Sequence, residues 1–226
     1  KRRARAASRD SSSSDSESES RAAAVSKRKR TRKESSAGDE EAAAGAGAAS
    51  ADGRDASGNL PASAYRLSKM TVDSLATRGV THLFPIQAKT FDHILDGKDV
   101  IGRARTGMGK TLAFVLPIIE RLRSMKISLV RGRKPKVIVM APTRELAKQV
   151  ADDFVSVAGE FTPLVVYGGT SLGPQQSALW RGIDILIGTP GRIQDLMQGG
   201  SLQLTDIQFV VRCPSTCLHA RARAST

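Results

Sequence analysis

The chain of 226 residues carries 35 lysine and arginine residues against 22 aspartate and glutamate residues, which gives a formal net charge of +13. It has no apolar run of the ~18 residues that a membrane-spanning helix needs, and two cysteines near the C-terminus do not make a disulfide framework. This composition excludes an integral membrane helix and a disulfide-rich secreted scaffold. It favours a polyanionic partner such as a nucleic acid.

Residues 1–60 consist mostly of alanine, serine, glycine and charged residues. Such a segment cannot bury enough apolar area to offset the loss of chain entropy, so we predict a disordered tail. Within it, the serine- and acid-rich run at residues 11–20 is typical either of a kinase substrate or of a plain solvated segment. The basic cluster Lys27–Lys33 favours a nuclear address or a contact with nucleic acid.

From residue 61 onward the pattern changes to alternating helices and strands. Ser68 is expected to cap a helix that ends near Arg78, and Pro85 is expected to begin a second one. Apolar runs predict five strands, separated by helices, at Asp99–Ile101, Val137–Met140, Leu164–Tyr167, Ile183–Ile187 and Ile207–Val211. This alternation predicts an α/β fold over residues 61–211, with a parallel sheet and helices on both of its faces.

A glycine-containing loop follows the first strand and precedes the apolar helical run Leu112–Leu116. Its residues are Ala104, Arg105, Thr106, Gly107, Met108, Gly109, Lys110 and Thr111. Small residues allow backbone N–H groups to face phosphate oxygens at the start of a helix, where anions are already favoured. We predict that this loop binds a nucleotide, that Lys110 contacts the β- and γ-phosphates, and that the Thr111 hydroxyl ligates Mg²⁺.

Four further motifs accompany this loop. In chain order they are Gly79–Gln87 before it and, after it, Pro142–Ala147 (PTRELA), Gly168-Gly169 and Thr189-Pro190-Gly191-Arg192. A Gly-Gly pair or a T-P-G-R sequence is weak alone, because each is most often a simple turn. Together, in this order, the motifs resemble those of the DEAD-box ATP-dependent RNA helicases, in particular the nucleolar type, over roughly Ala64–Val211.

The resemblance implies an incomplete N-terminal RecA-like P-loop NTPase domain that binds ATP, Mg²⁺ and RNA, in the nucleus and more narrowly in the nucleolus. It makes Gln87 the residue that reads adenine, because a carboxamide offers both a donor and an acceptor. The family's adenine-stacking aromatic corresponds to Ala62 here, and we expect Tyr65 to pack between a helix and the core. The resemblance also implies a groove that binds the RNA backbone, largely without regard to sequence, at Pro142, Thr143, Arg144, Gly168, Gly169, Thr189, Pro190, Gly191 and Arg192.

After the strand that ends at Val211 the family continues with Leu-Asp-Glu-Ala-Asp, whereas this chain reads Arg212-Cys213-Pro214-Ser215-Thr216. The acids that would hold Mg²⁺ and orient the attacking water are missing, as is the family's second RecA-like domain with its arginine finger. We therefore expect ATP binding without hydrolysis or RNA unwinding by this chain. Residues 212–226 show no periodicity, which predicts an unstructured, non-homologous tail and a sheet with open strand edges and exposed apolar surface.

Two other functions agree with parts of the sequence. A non-enzymatic fragment would bind RNA or a partner through its basic tail, and ATP would then leave the RNA affinity unchanged. Another P-loop NTPase, such as a DNA recombinase or a transporter ATPase, is disfavoured by PTRELA and Gln87. A zinc site at Cys213, Cys217 and His219 is disfavoured by its spacing, and Trp180 is expected in the core rather than stacked on RNA.

Overall fold

The computed structural model describes residues 53–127, 130–213 and 217–222. Within these residues a 3-10 turn at Ala62–Ala64 is followed by six helices, α1 Lys69–Thr77, α2 Pro85–Leu95, α3 Lys110–Ser124, α4 Arg144–Val157, α5 Leu172–Arg181 and α6 Pro190–Gln198. The strands are β1 Val100–Arg103, β2 Val137–Met140, β3 Pro163–Val166, β4 Ile185–Gly188, β5 Phe209–Arg212 and β6 Cys217–Ala222. None of these helices is long and apolar enough to cross a membrane. The predictions for residues 1–52 lie outside the described residues.

Residues 53–60, which the sequence predicts as part of the tail, instead form a turn around Asp55. The Asp55 carboxylate accepts hydrogen bonds from the backbone N–H groups of Ser57 and Asn59 at 2.9 and 2.8 Å. It also accepts one from the side-chain amide of Asn59 at 2.9 Å, and this bond is the main cause of the lowered pKa of Asp55. Aspartate and asparagine can build such a turn without burying apolar area, so composition alone could not predict it.

Ser68 and Pro85 lie at the helix starts that the sequence predicts, and the structure adds a cap at α4. The Ser68 side chain caps α1, and Pro85 occupies the first position of α2. Thr143 caps α4, because its hydroxyl accepts a hydrogen bond from the Leu146 N–H at 3.2 Å. Each cap suits the start of a helix, where the first N–H groups have no partner within the helix.

The strands form one sheet in the order β1-β6-β5-β2-β4-β3. Strands β5, β2, β4 and β3 are parallel to one another. Alternate residues of β2 face opposite sides: Val137 and Val139 pack in the cluster that contains α2, α3 and α4, whereas Ile138 packs with residues of α5 and α6. The predicted fold class, an α/β fold with a mostly parallel sheet between two layers of helices, is confirmed.

The end of the chain differs from the prediction. Strand β6 runs antiparallel between β1 and β5, with Ala220 opposite both Val100 of β1 and Val211 of β5. The expectation that residues 212–226 are unstructured is therefore wrong for Arg212, which ends β5, and for residues 217–222. The expected open edge between the phosphate-loop strand and β5 is wrong as well, because β6 fills it.

The sequence of β6 has the pattern of a strand with one buried face. Leu218 and Ala220 are 2% and 4% exposed, and they alternate with the half-buried His219 and the exposed Arg221. This is a period of two. Apolar surface does stay open on β1, where Ile101 is 75% exposed.

A buried ion pair anchors the loop between α3 and β2. Asp184, just before β4, is fully buried, and both of its carboxylate oxygens accept hydrogen bonds from Arg133 at 2.6 and 2.9 Å. This pairing raises the pKa of Arg133. Because a buried charge without a partner is strongly destabilising, the pair fixes the loop at residues 131–136 against the sheet.

Replacing Leu218 with alanine is expected to lower the free energy of unfolding by about 2–5 kcal/mol, because the change leaves a cavity in the core. Urea-induced unfolding followed by circular dichroism measures this difference. The matched control is Arg221→Ala on the exposed face of β6, which loses only an exposed ion pair with Asp99 and is expected to cost about 0–1 kcal/mol. Equal losses for the two variants would show that β6 does not pack in this register.

Candidate nucleotide and nucleic-acid sites

The phosphate loop, residues 104–109, connects β1 to α3, as the sequence predicts. Gly109 lies directly before α3 with a φ of 68°, a backbone conformation in which a residue with a Cβ is strained. A Cβ at Gly109 would also lie 2.2 Å from Nε2 of Gln87 and 2.9 Å from Cδ2 of Phe84. The loop therefore requires glycine here. It also lies at a helix N-terminus, which favours anions.

Gln87 joins the start of α2 to the phosphate loop. Its Oε1 accepts a hydrogen bond from the Phe84 N–H at 2.9 Å, and its Nε2 donates one to the Gly109 carbonyl at 3.0 Å. The residue is 2% exposed. The carboxamide retains one N–H and one lone pair for another partner, so the adenine contact stays a prediction. The structure adds that Gln87 positions the loop.

Lys110 turns back onto the phosphate loop. Its ammonium group donates hydrogen bonds to the carbonyl oxygens of Ala104 and Arg105 at 2.8 and 3.2 Å. These acceptors are neutral, whereas phosphate oxygens carry negative charge and attract an ammonium group more strongly. Phosphate oxygens would therefore be better partners for Lys110. Thr111, the predicted Mg²⁺ ligand, is half-buried in the first turn of α3.

A cavity of about 540 Å³ lies beside the loop. This volume lies within the ~300–1,000 Å³ typical of small-molecule sites. From the phosphate loop and the start of α3 it is lined by Thr106, Gly107, Gly109, Lys110 and Thr111. Among the other predicted nucleotide contacts, Ala104 is half-buried, whereas Arg105 and Met108 are exposed.

The wall of this cavity also carries Asp153 and Cys213. Cys213 directly follows β5, where the resemblance places an acid, and burial raises the pKa of its thiol to about 12. The thiol is therefore neutral at pH 7 and does not supply the charge of a carboxylate. Asp153, the one acidic residue among the described residues of the wall, accepts a hydrogen bond from Arg78 at 2.6 Å.

The three motifs predicted to bind RNA follow β2, β3 and β4. Because these strands are parallel, their carboxyl ends meet at one edge of the sheet. The Ala141 N–H donates to the Gly188 carbonyl at 2.9 Å, and the Thr189 N–H donates to the Val166 carbonyl at 3.1 Å. These bonds hold the three loops side by side, and we call their common surface the three-motif surface. It comprises residues 142–144, 168–170 and 189–192.

Arg144 contacts the double-glycine loop across this surface. Its guanidinium lies 5.9 Å from the centre of the Tyr167 ring, and a Cβ at Gly169 would lie 3.5 Å from its Nη1. Lys148, on the next turn of α4, lies 5.4 Å from the same ring. Both distances suit cation–π contacts. Lys148 was not identified from the sequence, although its spacing of four residues from Arg144 places both on one helix face.

Arg192 fastens the last motif to the double-glycine loop, since its Nη2 donates to the Thr170 carbonyl at 2.9 Å. The residue is 8% exposed, and its Nε and Nη1 have no hydrogen-bond partner among the described residues. Gln175 holds the same loop, because its Nε2 donates to the Thr170 hydroxyl at 2.7 Å. Sequence analysis missed Gln175. The available signal was a polar residue on the buried stripe of α5, one turn before Leu179.

Three positions were predicted from the presence or absence of an aromatic side chain: Tyr65, Ala62 and Trp180. Tyr65 packs against Phe91 with ring centres 6.0 Å apart, which confirms its place between helix and core. Ala62 is 3% exposed. The expectation for Trp180 is wrong: it is 70% exposed. Leu179 is buried on the core side of α5. Consecutive helical residues point in different directions, so the next residue, Trp180, faces away from the core.

Comparisons with known proteins agree with this geometry. Residues 84–212 match the protein family described as DEAD/DEAH box helicase. Over 149 residues the chain is 51% identical to nucleolar RNA helicase 2 of Rattus norvegicus, a match that covers 66% of this chain and 19% of that protein. It is 50% identical to ATP-dependent RNA helicase DDX50 of Homo sapiens, with 66% and 20% covered. The chain thus spans about a fifth of the length of these curated relatives.

The three-dimensional structure is similar to the crystal structure of a DEAD box protein from the hyperthermophile Methanococcus jannaschii. The TM-score is 0.58 and the sequence identity is 32%. The match covers 67% of this chain and 40% of that one. The RecA-like character of the fold inferred from the motifs is therefore supported by structure as well as by sequence.

Replacing Gly109 with alanine is expected to lower the free energy of unfolding by about 2–4 kcal/mol. The new Cβ adds backbone strain and displaces Gln87 from both of its hydrogen bonds, each worth about 0.5–1.5 kcal/mol. Chemical denaturation measures the loss. Gly173→Ala on α5 is the matched control, because a Cβ there meets nothing within 4 Å. A Gly109→Ala variant as stable as this control would contradict the described packing of the loop.

Proposed function

The chain belongs to the DEAD/DEAH box helicase family, and from this premise we propose that residues 61–211 are the ATP- and RNA-binding part of an ATP-dependent RNA helicase. One observation carries the proposal. Because β6 is antiparallel to both β1 and β5, β1 is parallel to the other strands. The phosphate loop therefore lies at the same edge of the sheet as the three-motif surface. ATP at the loop and RNA at the three-motif surface would then bind on one side of the domain.

The phosphate loop suits a triphosphate. Lys110 supplies positive charge, and the N-terminus of α3 supplies N–H donors. Mg²⁺ is usually held by phosphate oxygens together with one or two carboxylates, and here Thr111 would offer its hydroxyl while Asp153 is already paired with Arg78. The ion would neutralise part of the phosphate charge. The residues present therefore fit ATP well and Mg²⁺ in part.

The three-motif surface suits the sugar-phosphate backbone of RNA. Arg144 and Arg192 supply positive charge, and guanidinium groups bind phosphate oxygens through strong hydrogen bonds. Arg144 is exposed, whereas Arg192 is 8% exposed and its Nε lies 3.6 Å from the Asp195 carboxylate. Helices α4 and α6 both begin at this surface, where N–H groups bind anions. Contacts of this kind position a nucleic acid without reading its bases. We infer binding that depends on salt more than on sequence.

Hydrolysis of ATP by this chain does not form part of the proposal. Phosphoryl transfer requires groups that hold the metal and orient the attacking water. Directly after β5 the chain has Cys213 and Pro214 where the resemblance places two acids, and the Cys213 thiol is neutral at pH 7. The proposed function is therefore binding without turnover.

The rat relative is named as a nucleolar protein, and together with the basic cluster Lys27–Lys33 this supports a nuclear and more narrowly nucleolar location. The same cluster supports the alternative function, a non-enzymatic fragment that binds RNA or another partner through its tail. The two functions differ in one measurable property. Only the first makes RNA affinity depend on ATP and on Lys110.

Lys110→Ala is expected to weaken ATP binding in the presence of Mg²⁺ by at least about tenfold, since a hydrogen bond from a charged group contributes about 1.5–3 kcal/mol. Isothermal titration calorimetry measures the affinity. Lys89→Ala, an exposed lysine on α2, is the control and should bind as the parent does. A radiolabelled ATPase assay with RNA should give no turnover, and turnover that disappears in Lys110→Ala would refute the absence of hydrolysis.

Arg144→Ala is expected to weaken RNA binding on all sequences alike. If Arg144 contacts one phosphate of a single strand, its removal lowers the slope of log affinity against log salt concentration by about 0.7. Filter binding over a series of salt concentrations, with and without ATP, measures this slope. Lys69→Ala removes an exposed cation elsewhere and should leave the slope unchanged. An Arg144→Ala slope equal to that of the parent would remove this residue from the proposed surface.

A further inference from the structure

The single tryptophan of the chain, Trp180, lies on the last turn of α5 and is 70% exposed. The buried side of α5 is formed by Gln175 and Leu179, so the indole ring contributes little to the core. A tryptophan presents a large aromatic surface, and such side chains are enriched where partners bind. Neither the fold nor the three-motif surface accounts for this exposed ring.

The loop at residues 131–136 lies against the same end of α5. The Gly132 N–H donates to the Arg181 carbonyl at 3.2 Å. Trp180 and Lys134 both line a shallow cavity of about 270 Å³ between the helix and the loop. The buried ion pair of Arg133 anchors this loop to the sheet, so the backbone that carries Arg131 and Lys134 is held next to the end of α5.

Three cations adjoin this end of α5: Arg181 follows Trp180 in the chain, Lys134 lines the same cavity, and Arg131 precedes Gly132. Arg131 and Arg181 are exposed, and the Lys134 ammonium donates to the Thr205 hydroxyl at 3.0 Å. Within the described ranges of the chain, none of these three cations forms an ion pair, because the nearby carboxylates are paired with Arg133 and with Lys136. We call Trp180, Arg131, Lys134 and Arg181 the Trp180 surface.

An aromatic ring beside cations is the combination that binds single-stranded nucleic acid. A base stacks on the ring, and the adjoining phosphates are neutralised by lysine and arginine. An acidic peptide would match the cations but would leave the indole face without a stacking partner. The chemistry of the surface therefore favours a single-stranded nucleic acid over an acidic protein segment.

The position of the surface also favours RNA. Helix α5 begins directly after the double-glycine loop of the three-motif surface and ends at Trp180. Ten residues of helix span about 15 Å. Gly173, Ser177 and Trp180 are all exposed, and their spacing places them on one side of the helix. A strand that leaves the three-motif surface can reach the indole along this side.

We propose that the Trp180 surface is a second contact for single-stranded RNA, which stacks a base on the indole and neutralises the adjoining phosphates. It lies at the amino ends of the parallel strands, because the loop at residues 131–136 precedes β2 and Trp180 precedes β4. The phosphate loop lies at their carboxyl ends. The contact rests on the proposed function for the identity of its partner. It extends RNA binding beyond the residues that the family motifs supply.

The intrinsic fluorescence of Trp180 tests the proposal directly, because no other tryptophan contributes to the signal. The full chain is titrated with a short oligouridylate, and both emission and bound RNA are recorded. We expect RNA to quench the emission. Trp180→Ala is expected to weaken RNA binding at least about fivefold, the lower end of the effect of one stacked base, and Trp180→Tyr to retain most of the affinity. Val155→Ala, which shortens another exposed apolar side chain (51% exposed), should bind as the parent does.

The cations are tested by the double variant Arg131→Ala with Lys134→Ala. Loss of two phosphate contacts on a single strand lowers the slope of log affinity against log salt concentration by about 1.4. The double variant Lys69→Ala with Lys89→Ala removes two exposed cations elsewhere and should leave the slope unchanged. Thermal unfolding of each variant confirms that the fold is retained.

The outcomes separate this proposal from the proposed function. If the parent binds no RNA, the proposed function itself fails. If RNA binds and Arg144→Ala weakens it, while Trp180 emission and Trp180→Ala affinity stay unchanged, only the Trp180 surface is refuted. Equal quenching by polyglutamate and by oligouridylate would assign the surface to an acidic protein partner and would also overturn the proposal.

Discussion

The pairing of β6 with both β1 and β5 is the constraint on which the rest of the structure depends. Among the described strands, β1 pairs with β6 alone, and β6 connects it to β5. Two successive antiparallel pairings make β1 parallel to the remaining strands. This brings the phosphate loop to the edge of the sheet where the loops after β2, β3 and β4 also lie. Six residues therefore decide that the two proposed binding surfaces share one side of the domain.

Most of the fold could be predicted because its signals are local. Apolar runs such as Val137–Met140 and the helix cap Ser68 act over a few residues, and each gave the right element. Strand β6 could not be predicted in this way, because its alternation of alanine with histidine and arginine has weak strand preference. The unpaired edges of β1 and β5 select its conformation. Edges that lie about a hundred residues apart in the sequence leave no local signal.

The candidate sites were predictable in their residue types but not in their connections. The motifs single out Gln87, Arg144 and Arg192 as ligand contacts, which stays a prediction. The structure places Gln87 beside the phosphate loop and the two arginines beside the double-glycine loop. That Gln87 binds the Gly109 carbonyl, or that Arg192 binds the Thr170 carbonyl, follows only from the approach of distant segments. Such polar bonds depend on tertiary packing rather than on residue spacing.

Nucleotide binding and nucleotide hydrolysis require groups of opposite charge, so a site can have the groups for the first and lack those for the second. A triphosphate needs cations and N–H donors, which Lys110 and the start of α3 supply. Hydrolysis needs carboxylates as well, and the cavity offers a neutral Cys213 and an Asp153 already bonded to Arg78. Under the proposed function ATP therefore acts as a ligand that is not consumed. It stabilises the folded chain in proportion to the logarithm of its concentration above Kd.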